Sequence, residues 1–190
     1  MNTDAKRVEN ALKRCMSAFV RVLSIGLALL SVACAPATSL FDETLTSIQL
    51  GSIAPAFTLK TLAGGQASLS DYQGRPMFLN FWASWCGPCR EEMPEIIEAY
   101  QAYKDAGLQV LAIDNTQLDV VDDVQAFVDE FQMPFPVLLD AEGAVAAAYS
   151  VLGLPTSVFI DANGIVQGVN VGPLTGDELE TYIGDILPAK

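Results

Sequence analysis

Residues 76–94 read Pro-Met-Phe-Leu-Asn-Phe-Trp-Ala-Ser-Trp-Cys-Gly-Pro-Cys-Arg-Glu-Glu-Met-Pro, and two periodicities meet inside this stretch. From Pro76 to Trp82 the chain is almost continuously apolar, the pattern of a strand buried on both faces of a sheet. After Cys86, Met93, Ile96, Ile97, Tyr100 and Tyr103 recur every three or four positions, the pattern of an amphipathic helix that ends at Gly107. Cys86 therefore stands where a buried strand gives way to a helix, with Cys89 about one helical turn farther on.

That junction favours one kind of chemistry. The first backbone N–H groups of a helix have no internal partner, and together with the helix dipole they stabilise negative charge. A cysteine held there ionises more readily, and thiolate is the species that attacks a disulfide; pKa values of about 7 or below occur in such settings. Cys86 is the expected nucleophile, and Cys89, tucked under the first turn, the expected resolving thiol. A bond between residues three apart closes too short a loop to staple a fold usefully, so the pair is read as chemical.

Outward from the junction, Ala56–Leu59 and Ala67–Leu69 are short alternating segments around Ala63-Gly64-Gly65, which reads as a hairpin. Leu108–Ile113 is a second buried strand, and Val121–Phe131 a helix with Val124, Phe127, Val128 and Phe131 on one face. Pro134-Phe135-Pro136 breaks that helix, Val137–Leu139 is a short strand and Ala144–Tyr149 a short helix. Ser157–Ile160 and Ile165–Val171 flank Asp161-Ala162-Asn163-Gly164 as a second hairpin, and Gly176–Leu187 is a terminal helix. Strands alternating with helices and closing on an antiparallel hairpin imply an α/β fold, a mixed central sheet flanked by helices, with an N-terminal hairpin and a helix-strand insertion.

The 190 residues suit one domain plus a leader, and the 51% hydrophobic content allows a sizeable core. Two of the 23 acidic and five of the ten basic residues precede residue 35, so the remainder holds 21 acidic against 5 basic, a net of −16. The five cations, Lys60, Arg75, Arg90, Lys104 and Lys190, are scattered, which argues against nucleic-acid binding. Zinc would need two more soft or imidazole ligands, but the chain has no histidine and no other cysteine in its body. Haem attachment and iron-sulfur ligation fall with it, so no cofactor is expected.

Lys6, Arg7, Lys13 and Arg14 precede a run, Ala18–Ala35, that is apolar apart from Arg21, Ser24 and Ser31, as in a secretory leader. Met16 is an alternative start. Ser31-Val32-Ala33-Cys34 resembles a bacterial lipoprotein signal, with Cys34 the lipidation candidate, although Ser31 stands where that motif usually has leucine. Cleavage after Ala35 and retention of the leader as an anchor are the other two readings, and the run is marginal for a membrane span. Residues 1–35 are thus read as signal or anchor, 36–50, rich in Ala, Thr, Ser and Pro, as a flexible tether, and 51–190 as the domain. All three readings export that domain.

Phe81–Pro94, through Trp85-Cys86-Gly87-Pro88-Cys89, resembles the active-site segment of the TlpA/ResA-like branch of the thioredoxin superfamily, and Gly153–Asp161 resembles that family's second signature. The similarity runs from about Gly51 to Leu187. It implies a thioredoxin-like fold, a redox disulfide between Cys86 and Cys89, and a cis proline at Pro155 beside the sulfurs. It also implies that Leu154 and Thr156 bind substrate, the backbone of Leu154 pairing with an extended segment as an added strand. Trp85, Gly87, Pro88 and Asn80 would support the active site. Asn80 takes the place of the aspartate buried in thioredoxin itself and cannot take up a proton, while Glu91 and Glu92 are read as first-turn acids that suit the helix dipole.

The function expected from this resemblance is reduction of disulfides in exported proteins, in cytochrome c maturation or envelope thiol repair, with electrons from a membrane thiol donor. The chain is read as a monomer held to the membrane by its N-terminal anchor. A disulfide-forming oxidant is the alternative in direction. A thiol peroxidase is the alternative in chemistry, disfavoured because Leu79 and Ala83 stand where peroxiredoxin-like relatives carry Pro and Thr or Ser. A binding module that uses the peptide groove without turnover is the alternative in class.

Overall fold

The computed structural model describes residues 48–188. The leader, Cys15, Cys34 and most of the tether lie outside the described residues. Seven strands form one sheet: β1 (Thr58–Thr61), β2 (Gln66–Ser68), β3 (Met77–Trp82), β4 (Gln109–Asp114), β5 (Val137–Leu139), β6 (Thr156–Ile160) and β7 (Val166–Val171). Four α-helices accompany them: α1 (Gly87–Tyr103), α2 (Val121–Phe131), α3 (Ala144–Ala148) and α4 (Gly176–Ile186). Their order in the sheet is β2-β1-β5-β4-β3-β6-β7.

The parallel centre, β5-β4-β3, is flanked by antiparallel β1 and β2 on one side and β6 and β7 on the other. All six residues of β3 are buried, as its apolar run requires. Phe78, Trp82, Val110, Ala112 and Phe159 pack with Met93 and Ile96 of α1, Val124 and Phe127 of α2, and Leu179 and Ile183 of α4 in one core. Leu79, Phe81, Leu111, Ile113, Val158 and Ile160 form a second core with Val145 of α3 and Tyr149 on the opposite face. The alternation of β3 thus divides its side chains between the two cores, and Asn80 falls in register with Phe78 and Trp82, toward α1.

In the N-terminal hairpin the first strand lies two residues later than its sequence reading and the second one residue earlier. Leu69 belongs to a 3₁₀ turn, Leu69–Tyr72, because Ser68 and Asp71 cap it reciprocally; the Ser68 N–H donates to Asp71 Oδ2 at 2.8 Å. Helix α1 ends in a 3₁₀ turn and Gly107, whose φ of 100° is open to glycine at no steric cost. The guanidinium of Arg90 lies over the rings of Phe127 and Phe131 and pairs with Glu130, tying the first turn of α1 to α2.

Candidate active site

Strand β3 delivers the chain, through Ala83-Ser84-Trp85, to the mouth of α1. Cys86 is the N-cap, with extended backbone (φ −80°, ψ 107°), and its Sγ accepts the N–H of Cys89 at 3.2 Å. Pro88 lies in the first turn, where a missing N–H costs no helical hydrogen bond. The two cysteines form a disulfide with their Cα atoms 5.3 Å apart. They differ modestly in access: Cys86, 5% exposed, lines an open cleft, whereas Cys89 is 0% exposed and packs with Met93 and Ile96 in the core.

The cleft holds about 460 Å³ between the active-site loop, the β4–α2 loop and the segment before β6. Trp85, Cys86, Gly87 and Pro88 form one wall, Asn115 and Leu118 the second, and Val151 to Leu154 the third. The Leu154-Pro155 peptide bond is cis. Pro155 and Thr156 are buried behind that wall, and the Thr156 hydroxyl donates to the carbonyl of Gly153 at 2.7 Å. Of the residues singled out in the sequence, Trp85, Cys86, Gly87, Pro88 and Leu154 therefore meet at the cleft, while Asn80 and Thr156 lie inside the fold.

Glu92 departs from its sequence reading. It is not a solvated first-turn acid: it is 2% exposed, on the same stripe of α1 as Cys89, Met93 and Ile96. Its Oε1 accepts from Asn80 Nδ2 at 2.8 Å and its Oε2 from the backbone N–H of Leu174 at 3.1 Å. Burial raises its pKa from 4.5 to about 7, against the two hydrogen bonds that favour the charged form. The spacing contains the signal in retrospect, since 89, 92, 93 and 96 share one face of a helix.

A second carboxyl group lies under the active-site loop. Asp114, at the end of β4 and paired in register with Trp82, is fully buried. Its Oδ1 accepts the Thr116 hydroxyl at 2.6 Å, and its Oδ2 has no partner among the described residues. Burial raises its pKa from 3.8 to about 7; Thr116 opposes the rise, and Asp119 and Asp140 add to it. Asp119 in turn grips the loop: its Oδ2 accepts the Ser84 N–H at 2.5 Å and its Oδ1 the Ser84 hydroxyl at 2.6 Å. The Trp85 indole donates to the carbonyl of Leu118 at 2.9 Å, so three consecutive contacts stitch the β4–α2 loop to the chain entering Cys86. Leu118 and Asp119 lie outside any periodic segment and Asp114 directly follows the apolar run Leu108–Ile113, which is why the sequence did not single them out.

Residues 50–169 match the model of the AhpC/TSA family. Thiol-disulfide oxidoreductase ResA of Geobacillus kaustophilus (strain HTA426) is 39% identical over 151 residues, 80% of this chain and 85% of that protein. Thioredoxin-like protein YneN of Bacillus subtilis (strain 168) is 42% identical over 141 residues, 74% of this chain and 82% of that protein. Among solved structures, a Chlorobium tepidum protein assigned as thiol:disulfide interchange protein DsbE superposes with a TM-score of 0.69 at 36% identity, over 75% of this chain and 100% of that one. The chain belongs to the AhpC/TSA family, among its ResA-like thiol-disulfide oxidoreductases.

In this oxidoreductase the fold is the thioredoxin-like one, a mixed sheet with helices on both faces. Ala83 packs in the same core as the disulfide and Leu79 in the core on the opposite face of the sheet; both are fully buried hydrocarbon, so neither position offers a hydroxyl to a bound peroxide. Gly87 has a negative φ, and no atom lies within 4 Å of where its Cβ would stand, so glycine between the cysteines is not imposed by packing. Among the described residues no group of three or more His, Cys, Asp or Glu is placed to hold a metal ion.

Proposed function

We propose that the protein is an exported reductase of protein disulfides, working in cytochrome c maturation or envelope thiol repair and recharged by a membrane thiol donor. The observation that carries this reading is the asymmetry of the pair: one sulfur at a helix N-terminus on an open cleft, the other sealed beside a carboxyl that titrates near neutrality. Glycine and proline between the cysteines, as in reducing thioredoxins, support the direction. The apolar, basic-flanked leader supports export, and Cys34 the lipid anchor.

In the reduced enzyme the Cys86 thiolate attacks one sulfur of the substrate disulfide. That bond breaks, a Cys86–substrate disulfide forms, and the other substrate sulfur leaves as a thiolate that takes a proton from water. The Cys89 thiol then passes its proton to the Glu92 carboxylate, one turn away on the same face of α1. The Cys89 thiolate attacks Cys86 Sγ, the substrate's second sulfur leaves, and the internal disulfide closes. Two electrons have moved to the substrate, and the membrane donor returns them by the same exchange in reverse.

Asn80 fits this step as an amide. Its Nδ2 donates to the Glu92 carboxylate, while its Oδ1 is buried without a partner. A turn of the amide presents that oxygen to protonated Glu92, so one side chain serves both states. Backbone pairing of the substrate with Leu154 completes the proposal.

Reduction of insulin by the thiol-charged full chain tests it. Cys86→Ser should abolish turnover, and Cys89→Ser should hold exported targets as mixed disulfides. Peroxide consumption by the same protein without disulfide reduction would replace this reading with a thiol peroxidase. Oxidation of reduced substrate in preference to reduction would reverse the direction.

A further inference from the structure

The wall residues of the cleft carry more information than redox chemistry needs. Leu152 is 95% exposed, Leu118 64% and Trp85 59%, and all three line the cleft that holds Cys86. Single exposed apolar side chains are ordinary, but a contiguous set marks an interaction site. Val120 and Val121, also exposed, follow Leu118 closely in the chain, and the exposed Val171 lies against Gly153 of the cleft wall. Three of the eight exposed large apolar side chains among the described residues thus line this one opening, and three more belong to segments that adjoin it.

Building on the disulfide-exchange reading above, we propose that Leu118 and Leu152 are the jaws of a selectivity groove. It takes extended polypeptide segments with bulky apolar side chains within two residues of the reacting cysteine, and turns away acidic ones.

Three observations fix that occupant. A mixed disulfide must seat the partner's sulfur on Cys86, in the cleft that Leu118 and Leu152 also line, so the residues flanking that sulfur enter the same cleft as the two leucines. In an extended segment each residue advances about 3.3 Å and alternate side chains share a face, which brings the neighbours of the cysteine within reach of both leucines. No side chain lining the cleft is charged, and residues 35–190 carry a net of −16. An acidic segment would meet apolar walls inside a negative field, whereas an apolar one removes the leucines from water at no electrostatic cost.

The jaws also differ in how they are held. Leu118 is fixed to the catalytic loop, because its carbonyl accepts the Trp85 indole and the adjacent Asp119 grips Ser84. Leu152 follows Ser150, whose φ is 53°, in the turn that leads to Leu154. At 95% exposure its side chain contributes almost nothing to the packing of the fold.

The test uses the full chain in detergent, reduced beforehand, with three disulfide-linked peptides identical except for leucine, serine or aspartate on either side of the cysteine. Wild type is expected to reduce the leucine peptide with a kcat/KM about tenfold or more above the serine peptide, and the aspartate peptide most slowly. The leucine-to-serine ratio should fall to about twofold in the Leu118→Ser, Leu152→Ser double variant. Leu152→Lys should raise the aspartate peptide above the serine peptide, a gain that misfolding cannot produce.

Equal rates for the three peptides in wild type, or a ratio that survives in the double variant, would overturn the proposal. So would a wild-type dimer that Leu152→Ser dissociates while the peptide ratio stays put, because the jaws would then serve a second copy of the chain. Failure of wild type to reduce even glutathione disulfide would instead remove the exchange reading on which the selectivity rests.

Discussion

On the Cys89 side of the disulfide the protein is closed, and a single carboxyl group is held there by two fixed donors, Asn80 and the Leu174 N–H. On the Cys86 side it is open, the walls are apolar, and the acid, Asp119, is spent on holding the loop. The two sulfurs are bonded to one another, but one borders the cleft and the other the core. The difference separates two tasks that a dithiol must perform, since capture needs an accessible anion and release needs a proton acceptor that water cannot saturate.

Glu92→Gln should break the closed side most severely. Capture by Cys86 would persist while release by Cys89 slows about a hundredfold at pH 7, the usual scale for loss of a positioned base. In wild type the release rate should rise with pH through about 7, as Glu92 becomes a carboxylate; the variant should lose that inflection. Stopped-flow resolution of a preformed mixed disulfide reads both effects. An unchanged profile in the variant would assign the proton to another group.

Asp119→Ala tests the open side. It strips the Ser84 N–H and hydroxyl and the Val120 N–H of their acceptor, a loss of about 2 kcal/mol in denaturant unfolding. The Trp85 fluorescence should become redder and more quenchable as the loop is released. Peptide reduction should weaken through KM more than through kcat, because Asp119 positions the cleft wall and touches no reacting atom.

Asp114→Asn sharpens the contrast through pH. The folded protein holds the Asp114 proton up to about 7, whereas the unfolded chain releases it near 3.8. The native state therefore binds more protons across that window, and stability from this group falls as pH rises from about 4 to about 7, then levels off. Glu92 contributes with the same sign between 4.5 and about 7. At pH 8, Asp114→Asn should be more stable than wild type by about 1 to 2 kcal/mol, and near pH 4 the two should coincide. A variant less stable than wild type at pH 8 would mean that the ionised carboxyl has a compensating partner.

Much of this contrast was legible in the sequence, but unevenly. The buried strand could be read from its almost continuous apolar run, and the CxxC helix and Val121–Phe131 because each repeats one period long enough to be unambiguous. Cys86 and Cys89 followed from the junction of two such elements. Glu92 was misread because a charged residue beside Arg90 and Glu91 defaults to solvent, even though its spacing from Cys89 and Met93 placed it inward. The jaws could not be read at all: Leu118 and Leu152 lie in loops, where the fold alone decides that two distant segments face one another. The hairpin slipped at Leu69 because a capping pair, Ser68 and Asp71, outweighed a short alternating pattern.

The smallest expected effect comes from Gly87, which sits in the first turn with open space around its missing Cβ. A side chain there can be added without disturbing the disulfide or the packing beneath it. Gly87→Lys places an exposed cation near Cys86, which favours the thiolate and hence the reduced form, and should raise the reduction potential by about 10 to 20 mV. Gly87→Glu should lower it by a similar amount, and both shifts should shrink in high salt because the added charge faces water. The lysine also opposes the helix dipole, so a stability loss of about 0.5 kcal/mol should accompany its more oxidising potential. If lysine and glutamate move the potential in the same direction, the poise of Cys86 depends on backbone flexibility at position 87 rather than on charge at the helix mouth, and the electrostatic account of the open sulfur fails.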